Sequence, residues 1–238
     1  MFLSYLFYGI VNFFHRRRTN RIYLSFGENC LTDNILSRYG LKSFTTPFSH
    51  CRSNIEYILE LERNNYKNFI SGEFLKYGDL NGKPVPRIET DLILENNYHH
   101  LHKHGIEFPS QDVIKNKKYW QKIVGRANKL KLFLGKGHYI LLYHHRICED
   151  NDLELLLIHL SELKKYYSTE QYECQVVLFK QIIIPKESKK NLLYQKYKDI
   201  HIFDFQTHYS WTGRDQRKYW AFIDDSLISK MLEIIKTI

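Results

Sequence analysis

Short apolar runs alternate with amphipathic segments of helical length along most of this chain. Residues 21–26 form the first apolar run, which predicts a buried central strand, and residues 31–39 follow with helical spacing that ends at Gly40. The alternation continues with predicted strands at 138–143, 175–184 and 200–205 and predicted helices at 152–166, 187–198 and 225–236. Strands separated by helices of this length are typical of parallel β-α-β units. We therefore expect an α/β fold, a three-layer sandwich around a mostly parallel sheet of about five strands, of the SGNH or flavodoxin-like type.

The middle of the chain departs from this alternation. Residues 44–48 predict a short extended piece, and helices are predicted at 54–63 and 111–134. Residues 69–110 are irregular and rich in Gly and Pro, which indicates an insertion that contains a hairpin and caps the site. We expect a single domain over residues 21–238, with residues 1–20 as a separate N-terminal segment.

Residues 1–14 are almost wholly apolar and aromatic, and a cluster of three arginines follows at 16–18. A bilayer span needs about 20 apolar residues, so this run is too short to cross a membrane. It fits an in-plane interfacial helix with its arginines on anionic headgroups, and a helix packed against the domain is the alternative. We expect a cytoplasmic protein that is peripheral on the inner face of the inner membrane.

Composition narrows the class of partner. The chain has 238 residues, 43% of them hydrophobic, which suits one folded domain. Its net charge of +9 favours acidic partners such as anionic lipid, an acidic glycan or a phosphorylated cofactor, whereas the scattered basic residues argue against nucleic acid. The four cysteines lie far apart and the histidines lack ligand spacing, so we predict neither disulfides nor a metal. The oligomeric state stays open.

The most informative segment is the polar corner that follows the first predicted strand. Gly27 and Asn29 lead to Cys30, which lies where the next helix begins. A helix N-terminus favours the thiolate, so Cys30 is the candidate nucleophile. Gly27, the Asn29 amide and the backbone N–H of Cys30 are the candidate oxyanion donors. A buried structural cysteine beside a tight turn is the alternative.

A thiol acyl-transfer enzyme also needs a base, and histidine suits that role near neutral pH. Ligands of open α/β sheets bind at the carboxyl ends of strands, and His208 follows the predicted strand 200–205. We predict His208 as the base, with Asp204 or Asp215 as the group that orients it. A surface histidine in an aromatic loop is the alternative.

Two adjacent histidines follow another predicted strand. His144 and His145 are the second candidates for the base, or form an anion-binding patch at the substrate site. Trp211 flanks the predicted catalytic loop, where it would stack on a sugar ring or, alternatively, pack in the core.

Three stretches carry a resemblance to a known family. They read SFGENC at residues 25–30, LSRYGLKSF at 36–44 and TPFSH at 46–50. Together they resemble a family of bacterial proteins described as papain-like cysteine peptidases, which often occur among genes for surface polysaccharides. The chain has Ser49 and His50 where the family has Asp-Trp, so the resemblance puts His50 near the site. It has Pro109 and Ser110 where the family has His-Asp, so the chain uses another histidine or is inactive.

The corner from Gly27 to Cys30 is also similar to polysaccharide acetyltransferases related to the SGNH hydrolases. That resemblance implies a thiol-dependent O-acetyl transfer, from a donor such as acetyl-CoA to a surface polysaccharide or its precursor. We predict this O-acetyl transfer as the function, and the peptidase or hydrolase that the family resemblance implies is the alternative. A non-catalytic binding protein of polysaccharide assembly is the third hypothesis.

Overall fold

A computed structural model describes residues 21–80, 82–89, 104–146 and 153–238. The predicted interfacial segment, residues 1–20, lies outside the described residues. Within the described ranges, no helix has both the length and the apolar character that a membrane span requires.

A five-stranded sheet forms the centre of the fold. Its strands are β1 (Arg21–Gly27), β6 (His138–His144), β7 (Cys174–Ile183), β8 (Asn191–Tyr197) and β9 (Ile200–Thr207). In the order β1-β6-β7-β9-β8, the first four strands are parallel and β8 is antiparallel to β9. The predicted α/β class with a mostly parallel sheet is confirmed. The SGNH or flavodoxin-like type of sandwich stays a prediction.

Helices cover both faces of this sheet. They are α1 (Leu31–Arg38), α2 (Ile55–Arg63), α3 (Lys67–Ser71), α4 (Lys117–Phe133), α5 (Leu153–Tyr167), α6 (Gln216–Tyr219) and α7 (Asp225–Ile235). Successive residues of a strand point to opposite faces, so Leu24 and Phe26 join one hydrophobic cluster and Tyr23 joins another. The first cluster includes the buried sides of α2, α4 and α5, and the second includes those of α1 and α7. The two clusters form the core on either side of the sheet.

Two sequence predictions about the main sheet are wrong. The strand β1 lies at the edge of the sheet, not at its centre, and it is buried there because α1 and the residues after it cover it. The Tyr23 N–H, for example, donates to Ser43 Oγ at 3.0 Å. Residues 187–198, predicted as a helix, contain β8. The turn to β9 has Lys198 at a φ of 50° and lacks the Asn-Gly signal that marks such hairpins.

A second, antiparallel sheet includes the irregular segment. Its strands are β2 (Arg52–Ser53), β3 (Leu75–Leu80), β4 (Lys83–Glu89) and β5 (His104–Glu107), in the order β2-β5-β4-β3. The β3–β4 hairpin reaches the carboxyl edge of the main sheet, because Leu80 lines a groove there beside Asn29. The hairpin therefore contributes a wall to the region that contains the candidate nucleophile.

Candidate functional site

The site begins where β1 ends. Gly27 lies directly opposite His144 in the parallel pair of β1 and β6. Its φ is +126°, and an added Cβ would lie 2.5 Å from the carbonyl oxygen of His144. Only glycine accepts that backbone conformation and that close approach. The next residue, Glu28, donates its N–H to the same carbonyl at 3.3 Å, so the chain turns immediately toward α1.

Cys30 is the N-cap residue of α1. The preceding Asn29 accepts the Leu31 N–H on Oδ1 at 3.1 Å, and Thr32 donates its hydroxyl to the Phe26 carbonyl at 3.0 Å. These two bonds fix the corner between the strand and the helix. The first bond also occupies the Leu31 N–H and the Asn29 Oδ1 atom. The Asn29 side chain can therefore donate to an oxyanion only through its Nδ2 group.

The Cys30 thiol is partly exposed and lies 3.7 Å from the hydroxyl of Tyr219. Burial raises the pKa of Cys30, and this effect outweighs the hydrogen bond from Tyr219, which lowers it. Burial also raises the pKa of Tyr219 to about 12. Both groups are therefore protonated at neutral pH, a direction opposite to the predicted preference for the thiolate.

The chain after β9 folds back across the carboxyl edge of the sheet. Trp211 lies buried there, with its ring 5.7 Å from that of His144 and 6.4 Å from that of Phe179. Its indole N–H donates to Asp224 at 2.8 Å, and its backbone N–H donates to Gln181 at 2.8 Å. Trp211 is thus a core residue that also lines the groove at the site, and its stacking on a sugar ring stays a prediction.

Arg38, at the end of α1, holds the returning segment against that helix. Its guanidinium donates to the Trp220 carbonyl at 2.7 Å and pairs with Asp225 at 2.7 Å. Tyr219 precedes this anchored residue at the end of the short helix α6. The two Arg38 bonds therefore position the Tyr219 hydroxyl over the start of α1.

His144 contacts Asn29, the residue that precedes the candidate nucleophile. Its Nδ1 lies 3.0 Å from Asn29 Oδ1, which can only accept, so Nδ1 carries the proton and Nε2 has the free lone pair. Burial lowers the pKa of His144 to about 3, so the ring is neutral at pH 7. It stacks on Phe179 at 4.9 Å and lines a cavity of about 300 Å³. No described histidine forms a hydrogen bond with Cys30 Sγ.

His145 has a different environment. Its Nδ1 lies 2.9 Å from the Glu28 carboxylate, and both side chains are 0% exposed. This buried pair ties the end of β6 to the turn after β1. The sequence prediction omitted Glu28, although an acidic residue between an apolar strand and a helix start was a usable signal.

The predicted base and its orienting carboxylates are engaged elsewhere. His208 Nε2 donates to the Ser188 carbonyl at 2.8 Å. Asp204 pairs with Lys180 at 2.7 Å across β9 and β7, and Asp215 caps α6 by accepting the Arg217 N–H at 2.9 Å. Neither carboxylate orients His208 in this structure.

Sheet geometry separates His208 from Cys30. Strand β9 lies three strands from β1, which corresponds to roughly 14 Å across the sheet. Gly27, His144 and Phe179 are paired across β1, β6 and β7. Strands β7 and β9 continue for four residues beyond this row, which carries their ends about 13 Å further along the strand direction. The structure brings Asn29, Cys30 and His144 together and leaves His208 apart.

His50 lies at the end of a 3-10 turn, Pro47–His50, where an extended piece was predicted. Pro47 suits the first position of such a turn, and Thr46 caps it by accepting the Phe48 N–H at 3.2 Å. His50 is exposed, and the structure shows no hydrogen bond between it and Cys30. The buried neighbour, Cys51, donates to the Pro47 carbonyl at 3.5 Å.

A groove of about 460 Å³ opens beside Tyr219. Its lining combines polar, cationic and apolar side chains: Asn29, Arg52, Leu80, Pro109, Arg146, Trp211, Thr212, Gly213 and Tyr219. A larger hollow of about 610 Å³, between α5 and the turn after β8, contains none of the predicted site residues. Among the described residues, no group of three His, Cys, Asp or Glu could hold a metal ion.

The fold and the site define an α/β domain with a cysteine at the start of a helix, at the carboxyl edge of a parallel sheet. A family model described as "Putative papain-like cysteine peptidase (DUF1796)" matches residues 21–209, and the chain belongs to this family. Neither the curated proteins nor the solved structures contain a match to the chain. Tyr219 lies beyond the residues that the family model matches.

Proposed function

We propose that this protein is a cysteine-dependent hydrolase of the peptidase type, with Cys30 as its nucleophile. The observation that carries the proposal is the position of the Cys30 thiol at the start of α1, partly exposed and in contact with Tyr219 at the groove. Membership of the papain-like cysteine peptidase family supports the same chemistry. The substrate is then an amide or ester whose carbonyl carbon lies against Cys30 Sγ.

The reaction has two acyl-transfer steps. Sγ bonds to the carbonyl carbon, the thiol proton leaves for a base, and the leaving amine or alcohol departs with a proton. Water then attacks the thioester carbon, which releases the acid and returns a proton to Sγ. Because the Leu31 N–H is bonded to Asn29 Oδ1, the donors proposed for the oxyanion are the Asn29 Nδ2 group and the backbone N–H of Cys30.

We propose His144 as the proton acceptor in place of His208. Its Nδ1–H is held by Asn29, the residue before Cys30, and it lines a cavity with Arg146 and Trp211, which also line the groove at Tyr219. An amide that holds one ring nitrogen of a base leaves the other free to accept a proton. Because the free site has a neutral thiol and a neutral imidazole, the proton moves during attack and not before it.

A second candidate is transfer of the acyl group to a sugar hydroxyl, as an O-acetyltransferase of surface polysaccharide would perform from acetyl-CoA. The presence of Arg52 and Arg146 in the groove favours it, because guanidinium groups bind the phosphates of such a donor. Both candidates share the acyl-Cys30 intermediate and differ in the acceptor that resolves it.

The test compares the wild type with Cys30→Ala against a peptide mixture, p-nitrophenyl acetate and acetyl-CoA. Hydrolysis that Cys30→Ala abolishes supports the first candidate. Stable acetylation of Cys30 by acetyl-CoA, released by a glycan but slowly by water, supports transfer. Equal behaviour of the wild type and Cys30→Ala on all three substrates contradicts both candidates and leaves a non-catalytic binding protein.

A further inference from the structure

Two arginines reach the groove from different elements. Arg52 begins β2 and pairs with Glu107 at 2.9 Å. Arg146 follows the end of β6, is half-buried, and forms no ion pair with a carboxylate of the described residues. Burial, and next the charge of Arg52, lowers the pKa of Arg146, whereas the nearby Glu28 carboxylate, which forms no ion pair with it, raises that pKa. Its guanidinium is therefore partly removed from water without a bonded counter-charge in that part of the chain.

The charges of both guanidinium groups affect Tyr219, the residue in contact with the Cys30 thiol. Their charges lower the pKa of Tyr219, against the larger opposing effect of burial, and the Tyr219 hydroxyl lies 3.7 Å from Cys30 Sγ. Both arginines also line the groove that Tyr219 lines. A group bound between them would thus lie in the groove that Tyr219 lines, and the Tyr219 hydroxyl contacts the thiol.

The rest of the groove suits the body of such a ligand. Leu80, Pro109 and Trp211 contribute apolar surface to the same groove. Guanidinium groups bind carboxylates and phosphates through paired N–H donors, and a partly desolvated cation gains more from an anion than an exposed one does.

We infer that the groove beside Cys30 takes a substrate with an anionic group, a carboxylate or a phosphate, which Arg146 and Arg52 hold next to the reacting carbonyl. This inference rests on the proposed function, since it names the substrate class of the same site. It makes the acyl substrate acidic and requires Arg146 for its binding.

Iodoacetate and iodoacetamide provide the test, because they alkylate the same sulfur and differ in charge. At pH 8.5 we expect the ratio of the iodoacetate rate to the iodoacetamide rate to be about tenfold higher at Cys30 than for glutathione, because the inference places the bound carboxylate between the two arginines of the groove. The excess should shrink several-fold between low salt and about 0.5 M salt, and again in Arg146→Gln. Arg63→Gln, which removes an exposed arginine paired with Glu162, is the matched control and should leave the ratio unchanged.

Protection by inorganic phosphate and by acetate identifies the anion, because the better protectant of Cys30 corresponds to the group that the groove holds. A rate ratio at Cys30 equal to that of glutathione, in wild type and Arg146→Gln alike, overturns the inference and leaves the proposed function standing. Failure of both reagents to reach Cys30 at pH 8.5 contradicts the proposed function itself. The wild-type salt dependence needs no variant, so misfolding of Arg146→Gln does not remove the test.

Discussion

The pH dependence of Cys30 alkylation tests whether the thiol is activated before substrate arrives. Burial raises the pKa of Cys30 above its ordinary value of 9.0, so the thiolate makes up less than about 1% of the protein at pH 7. Burial lowers the pKa of His144 to about 3 and raises that of Cys30, so transfer of the thiol proton to His144 is strongly uphill in the free site. A preformed thiolate–imidazolium pair is therefore absent from the free site.

The assay is the rate of iodoacetamide alkylation, followed by peptide mapping between pH 6 and 9.5. We expect the Cys30 rate to rise about tenfold per pH unit from pH 7 to pH 9, because only the thiolate reacts. The buried Cys51 and Cys174 serve as internal controls that should stay unmodified while the protein is folded. A rate that levels off below pH 8 would show a low thiol pKa and refute the reasoning.

The variant Tyr219→Phe tests how the Tyr219 hydroxyl affects the pKa of Cys30. The Tyr219 hydroxyl lowers the pKa of Cys30 by a hydrogen bond to the sulfur, so its removal leaves less thiolate at a given pH. We expect alkylation at pH 8 to slow by about three- to tenfold, as for a modest hydrogen bond to a charged group. Tyr209→Phe, at an exposed tyrosine outside the Cys30 contact, is the control and should not change the rate.

Three variants test the framework of the site. Gly27→Ala should lower the free energy of unfolding in urea by more than about 2 kcal/mol, because the added Cβ meets the β6 backbone. The control Gly125→Ala has open space at Cβ and should not destabilise the protein. Equal stabilities of the two variants would contradict the close approach at Gly27. Glu28→Ala should lower the free energy of unfolding by about 1–3 kcal/mol because it removes the buried 2.9 Å contact with His145, and Glu28→Gln should cost less; wild-type stability of both variants in the same urea titration would rule out a role for this contact. Arg38→Ala should slow Cys30 alkylation at pH 8 to the rate of Tyr219→Phe, because Arg38 positions Tyr219. An unchanged rate would disprove this positioning role of Arg38.

Much of the fold followed from local pattern. The strands β6, β7 and β9 and the helices α1, α5 and α7 lie within two residues of their predicted ends, because period and length distinguish buried strands from amphipathic helices. The strand β8 was missed because its stabilisation comes from pairing with β9, which a local pattern does not reveal. The place of β1 at the edge depends on strand order, which is also non-local.

The site was predictable only where its residues are adjacent in sequence. Cys30 and Asn29 stood out because a polar corner follows an apolar strand. Tyr219 was not predicted as a partner of Cys30, because it arrives through a returning segment anchored by Arg38. His208 was chosen for its residue type and its late position, but the extra length of β7 and β9 carries it away from the corner.

Intact-mass spectrometry during turnover of an activated ester tests the central claim most directly. The account predicts one acyl group per chain, mapped to Cys30, labile to hydroxylamine as a thioester, and absent in Cys30→Ala. Turnover that persists in Cys30→Ala, with no acyl group on Cys30 in the wild type, would contradict it.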